Sequence, residues 1–325
     1  MSKLSLKDRF DLSSMAPVFI ILFLILSYSV FAPNFLSLNN FLNILRQVSI
    51  IGVMAIGVTA VILLGEIDLS IGTVMAFSGM IVGGLSKGTY FGWDPLPVPL
   101  AMIISLIIGA IIGFGSGIAC AKLRIPGFMA TLSMQYVCSG LMLMLTKARP
   151  IGGLPQSLTY WGSGYIFGFF PVIIILFLIV VLIGFFLLRF TIFGRNLYAI
   201  GGNMESSRLS GINVVFNKTA AFVICSVLCA LAGILMDGRI GSAQVTAGDT
   251  LMMQPIAGAV LGGTSLMGGR GTVPGTVLGV LIMGILVNGL NLMGVGSDIQ
   301  RVVTGLVLFG AVTFNIWSSV KQGVR

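Results

Sequence analysis

Two apolar stretches and the polar break between them decide the fold of this chain. Residues 48–64 read VSIIGVMAIGVTAVILL, and Gly65-Glu66-Ile67-Asp68-Leu69-Ser70-Ile71-Gly72 follows before the sequence is apolar again up to residue 85. A helix that crosses a hydrocarbon core of about 30 Å needs about 20 apolar residues. The pattern therefore predicts membrane-spanning helices with a polar interruption between them.

The composition extends this prediction to the whole chain. Of 325 residues, 57% are hydrophobic and 8% are charged, whereas soluble domains have about 25% charged residues. A soluble globular protein is excluded, and we expect an all-α, polytopic membrane bundle of about ten spans that forms one transmembrane domain over residues 1–325. The predicted spans cover residues 16–31, 48–64, 69–85, 96–119, 127–145, 167–188, 219–236, 251–268, 272–294 and 299–317.

Two segments near the N-terminus need separate interpretation. No small-residue cleavage site follows the run 16–31, so we interpret it as a retained first span. Residues 35–47 have apolar residues spaced for one helix face, which predicts either a helix in the membrane interface or an ordinary short loop.

The distribution of positive charge predicts the orientation. The net charge is +9, and in a membrane protein Lys and Arg collect on cytoplasmic loops, so we expect no nucleic-acid partner. An N-terminus and a C-terminus in the cytoplasm place twelve of the 18 Lys and Arg residues inside. These residues are Lys3, Lys7, Arg9, Lys122, Arg124, Arg189, Arg195, Arg208, Lys218, Arg270, Lys321 and Arg325.

The side chains available for catalysis argue against an enzyme. The chain has no His, which excludes His-based triads, HExxH metal sites and His proton relays. Its four cysteines, Cys120, Cys138, Cys225 and Cys229, all lie in apolar runs, where Cys behaves as a small buried hydrophobe. We predict neither a metal site nor a catalytic site.

Glycine is patterned in two ways. Gly109, Gly113 and Gly117 recur every four residues, as do Gly271, Gly275 and Gly279, and such stripes let helix backbones approach closely in lipid. A second break, Gly262 to Gly271, interrupts the apolar sequence at a place comparable to the first.

Paired breaks of this kind mark the pathway of a transporter, because unwound backbone is tolerated at depth only in protein or beside a cavity. Carboxylates are costly in lipid and mark function by default. Asp68 has an alternative role as the cap of the following helix, whereas the role of Glu66 is left open.

Residues 189–218 form the longest positively charged loop. Asn203 and the four residues after it predict a capped short helix that ends at Gly211. Such a helix is consistent with a surface that docks a partner, and a plain loop that follows the positive-inside rule is the alternative.

Several ordered sequence blocks carry a further signal. They are Ile67 to Gly72, Phe128 to Leu132 after Pro126, Gly194 to Asn203 with Arg208 to Ile212, Val260 to Thr276, and Asn288 to Leu292. Taken together, these blocks resemble the membrane subunits of ATP-binding-cassette importers of the ribose, galactose and xylose permease type, and the similarity covers nearly the whole chain. The chain departs from the family pattern at Glu66, where a small residue is common, and at Leu251 to Pro255, and these departures concern the identity of the sugar and not the architecture.

The resemblance implies a type II importer with interrupted helices in a bacterial plasma membrane. It implies a cytoplasmic coupling loop over 189–218, ATPase subunits as partners, an extracytoplasmic sugar-binding protein and a second permease copy, in a homodimer or heterodimer. The chain lacks a GxxxxGK[ST] phosphate loop, so ATP would be bound by the partner and no cofactor by this chain. The coupling residues implied are Gly194, Arg195, Gly201, Asn203, Glu205, Arg208, Ser210 and Gly211.

Candidates for the translocation pathway come from polar residues in apolar segments, because a sugar offers hydroxyl groups to neutral hydrogen-bonding walls. Hydrogen bonding between helices is the alternative role for each of them. A secondary transporter or channel without an ATPase is the competing function, and an intramembrane enzyme is disfavoured. The pathway candidates are Glu66, Asp68, Ser70, Thr131, Ser133, Gln135, Asn288 and Asn291.

Overall fold

The computed structural model describes residues 12–89 and 94–321, and these are almost entirely helical. Two short antiparallel pairs join β1 (Ile151–Gly152) to β4 (Ser242–Ala243) and β2 (Tyr165–Ile166) to β3 (Phe170–Pro171). The helices are α1 Leu12–Phe31, α2 Leu38–Ile62, α3 Ile71–Lys87, α4 Val98–Ala121, α5 Gly127–Thr146, α6 Gln156–Ser163, α7 Val172–Phe190, α8 Ile192–Gly202, α9 Met204–Leu209, α10 Val214–Ile240, α11 Ala247–Leu251, α12 Met253–Leu261, α13 Val273–Leu292 and α14 Ser297–Lys321. The all-α class is confirmed.

Helix α10 lies at the centre of the bundle, where it contacts α2, α3, α4 and α6. Phe222, Cys225 and Cys229 on α10 are fully buried, and Cys120 and Cys138 are buried as well. The cysteines therefore pack in the interior, as the apolar sequence around them predicts.

The first glycine stripe brings α4 against α10. A Cβ atom on Gly113 would lie 2.6 Å from the carbonyl oxygen of Phe222, and one on Gly117 would lie 2.8 Å from Cα of Thr219. Any larger residue would force the two backbones apart. The packing role predicted for this stripe is confirmed.

Six helices of the described residues are long and apolar enough to cross a membrane, so the chain is a multi-pass membrane protein. They are α2, α4, α5, α7, α10 and α13, and two shorter apolar helices cover Ala16–Phe31 and Ile71–Lys87. The expected count of about ten spans is not confirmed.

The stretch 251–268 is not the continuous span that the sequence predicts. Helix α12 has nine residues, which is about 14 Å at about 1.5 Å per residue, roughly half of the hydrocarbon thickness. The glycines that follow have left-handed backbone, with φ of +88° at Gly263, and this conformation cannot continue a helix. The break lies where the glycines Gly262 to Gly271 predict it, so residues 251–268 cannot also form one span.

Residues 38–47 form the first turns of α2, so neither the separate interfacial helix nor the loop expected over 35–47 is found there. The Ser37 hydroxyl accepts the Asn40 amide hydrogen at 3.2 Å and caps the helix. Asn40 is buried and exchanges hydrogen bonds with Asn288 on α13, at 2.8 and 3.0 Å. This polar contact holds the start of α2 inside the bundle.

Candidate coupling and translocation site

Residues 191–211 form two short capped helices outside the predicted spans. The Thr191 hydroxyl accepts the Gly194 amide hydrogen at the start of α8, and the Asn203 side chain accepts that of Ser206 at 2.8 Å at the start of α9. Gly211 then has a φ of +84°, which ends the segment in a left-handed turn. The predicted helix between Asn203 and Gly211 is confirmed, whereas α8 was not foreseen.

Helix α9 presents an exposed, mixed surface, which we name the coupling surface and define as Met204, Glu205, Arg208 and Leu209. Arg208 and Glu205 form an ion pair at 2.8 Å, with side chains 60% and 65% exposed. Leu209 is 78% exposed and Met204 is also exposed. Apolar side chains of this size beside a guanidinium are typical of a protein contact.

The other predicted coupling residues have different environments. Gly194 is buried, and a Cβ atom there would lie 2.2 Å from the carbonyl oxygen of Leu188, so it permits the tight turn between α7 and α8. Gly201 is half-buried at the end of α8. The exposed members are Arg195, Asn203, Ser210 and Gly211.

The end of α8 lies against the end of α2, immediately before the first break, and against the second break. We name this contact the glycine junction and define it as Leu63, Gly201, Gly268 and Gly269. The Gly269 amide donates to the carbonyl oxygen of Leu63 at 2.9 Å. A Cβ atom on Gly201 would lie 1.8 Å from that oxygen and 2.5 Å from the Gly269 nitrogen. Backbone therefore packs on backbone between the loop and the two breaks.

Tyr198 on α8 adds a side-chain contact to the same place. Its hydroxyl donates to the carbonyl oxygen of Gly271 at 2.8 Å. Burial raises the pKa of Tyr198 above its ordinary value, although Arg189 opposes this effect. The phenol is thus neutral at physiological pH and remains a donor.

Glu66 pairs with a basic residue from another helix. Its Oε1 atom lies 2.5 Å from Nζ of Lys218 on α10, and Oε2 accepts the Gly127 amide hydrogen at 2.9 Å, at the start of α5. The Lys218 and Glu66 side chains are 7% and 18% exposed. Glu66 therefore ties the first break to two helices that are distant in sequence.

Asp68 and Thr131 each make hydrogen bonds within the first break. Oδ1 of Asp68 accepts from the Ser70 amide at 2.8 Å and from the Ser70 hydroxyl at 2.6 Å, so Asp68 stabilises the turn that leads into α3. The Thr131 hydroxyl accepts the Leu69 amide hydrogen at 3.0 Å and donates to the carbonyl oxygen of Gly127 at 2.8 Å. These groups satisfy unwound backbone in the break.

The remaining pathway candidates do not gather in one place. Ser133 is exposed on α5 and donates to the Met129 carbonyl at 2.9 Å, while Gln135 is half-buried. Asn288 is buried in its pair with Asn40, which fits a hydrogen bond between helices. Asn291 is exposed and accepts a hydrogen bond from Gln300 at 2.7 Å.

Sequence reasoning missed Lys218 and Tyr198 at the two breaks, and Gln300 beside Asn291. The need of Glu66 for a basic partner pointed to some Lys or Arg, but no local pattern singled out Lys218. Across residues 12–89 and 94–321 the structure contains no group of three or more acidic or Cys side chains arranged to hold a metal ion.

Comparison with known proteins gives one family and a set of close relatives. Residues 40–312 match the family described as permease component of the branched-chain amino acid transport system. The chain is 43% identical over 303 residues to the ribose import permease protein RbsC of Bacillus subtilis, covering 93% of this chain and 92% of the relative. No solved structure matches.

Two further relatives widen the comparison. The ribose import permease protein RbsC of Haemophilus influenzae is 39% identical over 306 residues, or 93% of each chain. The xylose transport system permease protein XylH of Escherichia coli is 30% identical over 340 residues, covering 86% of this chain and 85% of the relative. The family match over residues 40–312 includes both breaks and residues 191–211.

Proposed function

The chain belongs to the family of permease components described for the branched-chain amino acid transport system, and we propose that it is the membrane-spanning permease subunit of an ATP-driven importer for a sugar or sugar-like solute. The ribose and xylose permeases among its relatives support the sugar. We infer a sugar-like substrate from these relatives because they are similar to this chain over most of its length.

The observation that carries the proposal is the glycine junction. Gly201, at the end of α8, touches the end of α2 and the second break, while the exposed coupling surface follows immediately on α9. Force applied to α9 by a partner thus reaches both breaks without an intervening flexible loop. A secondary transporter has no need of such a surface.

ATP binding belongs to the partner in this proposal. The chain has no GxxxxGK[ST] motif, so it lacks the loop that cradles phosphates. Two cytoplasmic ATPase subunits would bind the coupling surface, and the segment 189–218 would be the coupling loop. The permease itself would carry no cofactor and no catalytic site.

A second permease copy and a binding protein complete the proposed assembly. Helices α5 and α14 carry large exposed apolar residues, among them Tyr136 at 73% and Phe309 at 72%. These faces fit a second copy across a central pathway, with lipid around the remaining surface. An extracytoplasmic sugar-binding protein would deliver the solute on the side opposite α9.

The proposed orientation places α8 and α9 in the cytoplasm of a bacterium, with both chain ends on the same side. Residues 1–325 would form one transmembrane domain of the type II importer kind. The terminal basic residues Lys3, Lys7, Arg9 and Arg325 that contribute to this orientation lie outside the described residues. The exposed positions of Lys122, Arg195 and Arg208 support it.

Within the proposed pathway, the first break acts as a gate. Glu66, Asp68, Ser70 and Thr131 secure the break to α5 and α10 rather than bind the solute tightly. Ser133 and Gln135 continue along α5, and Asn291 on α13 keeps its predicted pathway role in this proposal, whereas Asn288 links α13 to α2 through Asn40.

Reconstitution tests the proposed function. Vesicles containing the permease, its ATPase and D-ribose-loaded binding protein should accumulate labelled D-ribose only when ATP is supplied on the side of α9. Vesicles without the ATPase serve as the control. Accumulation by the permease alone would overturn the proposal in favour of a secondary transporter.

A further inference from the structure

A cavity lies one half-helix away from the glycine junction, on the side away from α9. It has a volume of about 210 Å³ and lies between the starts of α12 and α14 and the later part of α13. We name it the α12–α14 cavity. Its polar lining residues are Asp249, Gln254, Ser297, Gln300, Arg301 and Thr304.

The direction of α12 and α13 fixes which end the cavity occupies. Helix α12 starts at the cavity with Met253 and Gln254 and runs to Gly262 in the second break. Helix α13 starts after that break and reaches the cavity at Val287. One half-helix therefore connects the cavity to the glycine junction.

The chemistry of the lining suits a neutral solute with many hydroxyl groups. Two amides and two hydroxyls offer neutral donors and acceptors, and the carboxylate of Asp249 and the guanidinium of Arg301 add one charge of each sign. The Gln300 amide nitrogen donates to Asn291 at 2.7 Å and to the Val295 carbonyl at 2.8 Å. Both amide hydrogens of Gln300 are therefore already bonded, and its Oε1 atom is the group that can accept a hydrogen bond from a solute.

We propose that the α12–α14 cavity is a contact site for a hydroxyl-rich solute on the side opposite the coupling surface, with Gln254, Gln300 and Thr304 binding its hydroxyl groups. The inference rests on the proposed function for its direction of transport. It adds a specific site, because none of these three residues was a pathway candidate from the sequence.

Thiol labelling tests the site directly. The chain's own cysteines are buried, so Thr304→Cys introduces an accessible thiol. Externally added MTSET, a charged methanethiosulfonate that does not cross membranes, should label it in the reconstituted permease–ATPase complex, and saturating D-ribose should slow labelling several-fold. Ser163→Cys is the control, since Ser163 is exposed in α6, on the side opposite α9, and does not line the cavity.

A second pair of variants tests how much the Thr304 hydroxyl contributes to binding the solute. Thr304→Val keeps the shape and removes a hydrogen bond, so the KM for D-ribose uptake should rise roughly threefold to tenfold, with Thr304→Ser close to the parent.

Three results would overturn the site. They are protection of Thr304→Cys by L-leucine but not D-ribose, equal protection of Ser163→Cys, and an unchanged KM in Thr304→Val. Each of them leaves ATP-dependent uptake by the parent intact, so failure of the site is distinguishable from failure of the proposed function.

Discussion

Glu66 shows at the residue scale how a charge is accommodated within an apolar sequence. An ionised carboxylate away from water is strongly disfavoured unless it is paired. The ion pair with Lys218 and the hydrogen bond from Gly127 provide that pairing. A Cβ atom on Gly127 would lie 2.4 Å from Oε2, so Gly127 is small because the carboxylate lies against it.

We expect Glu66→Gln to destabilise the protein and to lower substrate-stimulated ATP hydrolysis in the complex. The change keeps the side-chain shape but leaves the Lys218 charge buried without its partner, which costs on the order of 3 kcal/mol in free energy of unfolding. The measurements are the midpoint of thermal unfolding in detergent and the stimulated hydrolysis rate.

The matched control for this change is the double variant Glu66→Gln with Lys218→Gln. Because it removes both charges, it should recover part of the lost stability, and the double-mutant cycle then gives the coupling between the two residues. If Glu66→Gln alone equals the parent in both measurements, the charge at this position has no role.

The sequence predicted part of this site. The cost of a lone carboxylate was enough to predict that Glu66 needs water or a basic partner. The identity of Lys218 depends on how α10 packs beside the first break, 152 positions away, and no local pattern encodes that distance. The same is true of Tyr198 and its contact with Gly271.

At the scale of single elements, α9 is a short helix whose outward face has no packing role within the described chain. We expect Arg208→Glu to lower association with the ATPase, because a guanidinium suited to carboxylates or carbonyl oxygens on a partner becomes an acid. Membrane insertion should stay normal. Co-purification of the ATPase with the tagged permease is the measurement.

Lys122→Glu provides the control for Arg208→Glu, since Lys122 is an exposed basic residue outside α8 and α9 and undergoes the same change of charge. Equal ATPase recovery in Arg208→Glu and in the parent would remove Arg208 from the coupling surface. Equal loss in both variants would assign the effect to net charge.

Helix α4 gives a second prediction at this scale. Gly113→Leu should lower the free energy of unfolding by about 2 kcal/mol or more, because the side chain would collide with the backbone of α10 at Phe222. Gly140→Leu on α5 is the control, as nothing lies within 4 Å of a Cβ atom there. Equal unfolding midpoints for the two variants would contradict the close packing of α4 and α10.

The sequence predicted a helix boundary correctly where one local signal was present. It failed where two signals overlapped, such as apolar composition and a glycine break. Asn203 and Gly211 predicted α9 because caps are local signals. The glycines from Gly262 to Gly271 predicted the break after α12, whereas hydropathy averages over that break and predicted residues 251–268 as one span. Residues 38–47 joined α2 because Asn40 finds a partner on α13, which is a tertiary contact.

For the whole molecule, the orientation has a direct test. Fusion reporters at Arg325 and within residues 206–211 should both report the cytoplasm, because the basic residues collect on that side. An extracytoplasmic signal at either position would contradict the proposed topology. A reporter next to Ser163, in α6, should give the opposite result and serves as the control.

The glycine junction transmits motion through the whole molecule, from a partner at α9 to the two breaks. The glycine junction joins segments near residues 63, 201 and 269, so the contact exists only in the folded bundle. The neighbouring residues Gly201 and Gly202 differ in the space available for a side chain. A Cβ atom on Gly201 would collide with the Leu63 carbonyl, whereas one on Gly202 has nothing within 4 Å.

The most direct measurement is the number of D-ribose molecules transported per ATP hydrolysed by the reconstituted complex, for Gly201→Ala and for its control Gly202→Ala. The collision in Gly201→Ala should disturb the junction and lower this ratio about tenfold while the ATPase stays bound. Gly202→Ala should match the parent. An unchanged ratio in Gly201→Ala, with the ATPase bound and active, would contradict transmission through the glycine junction.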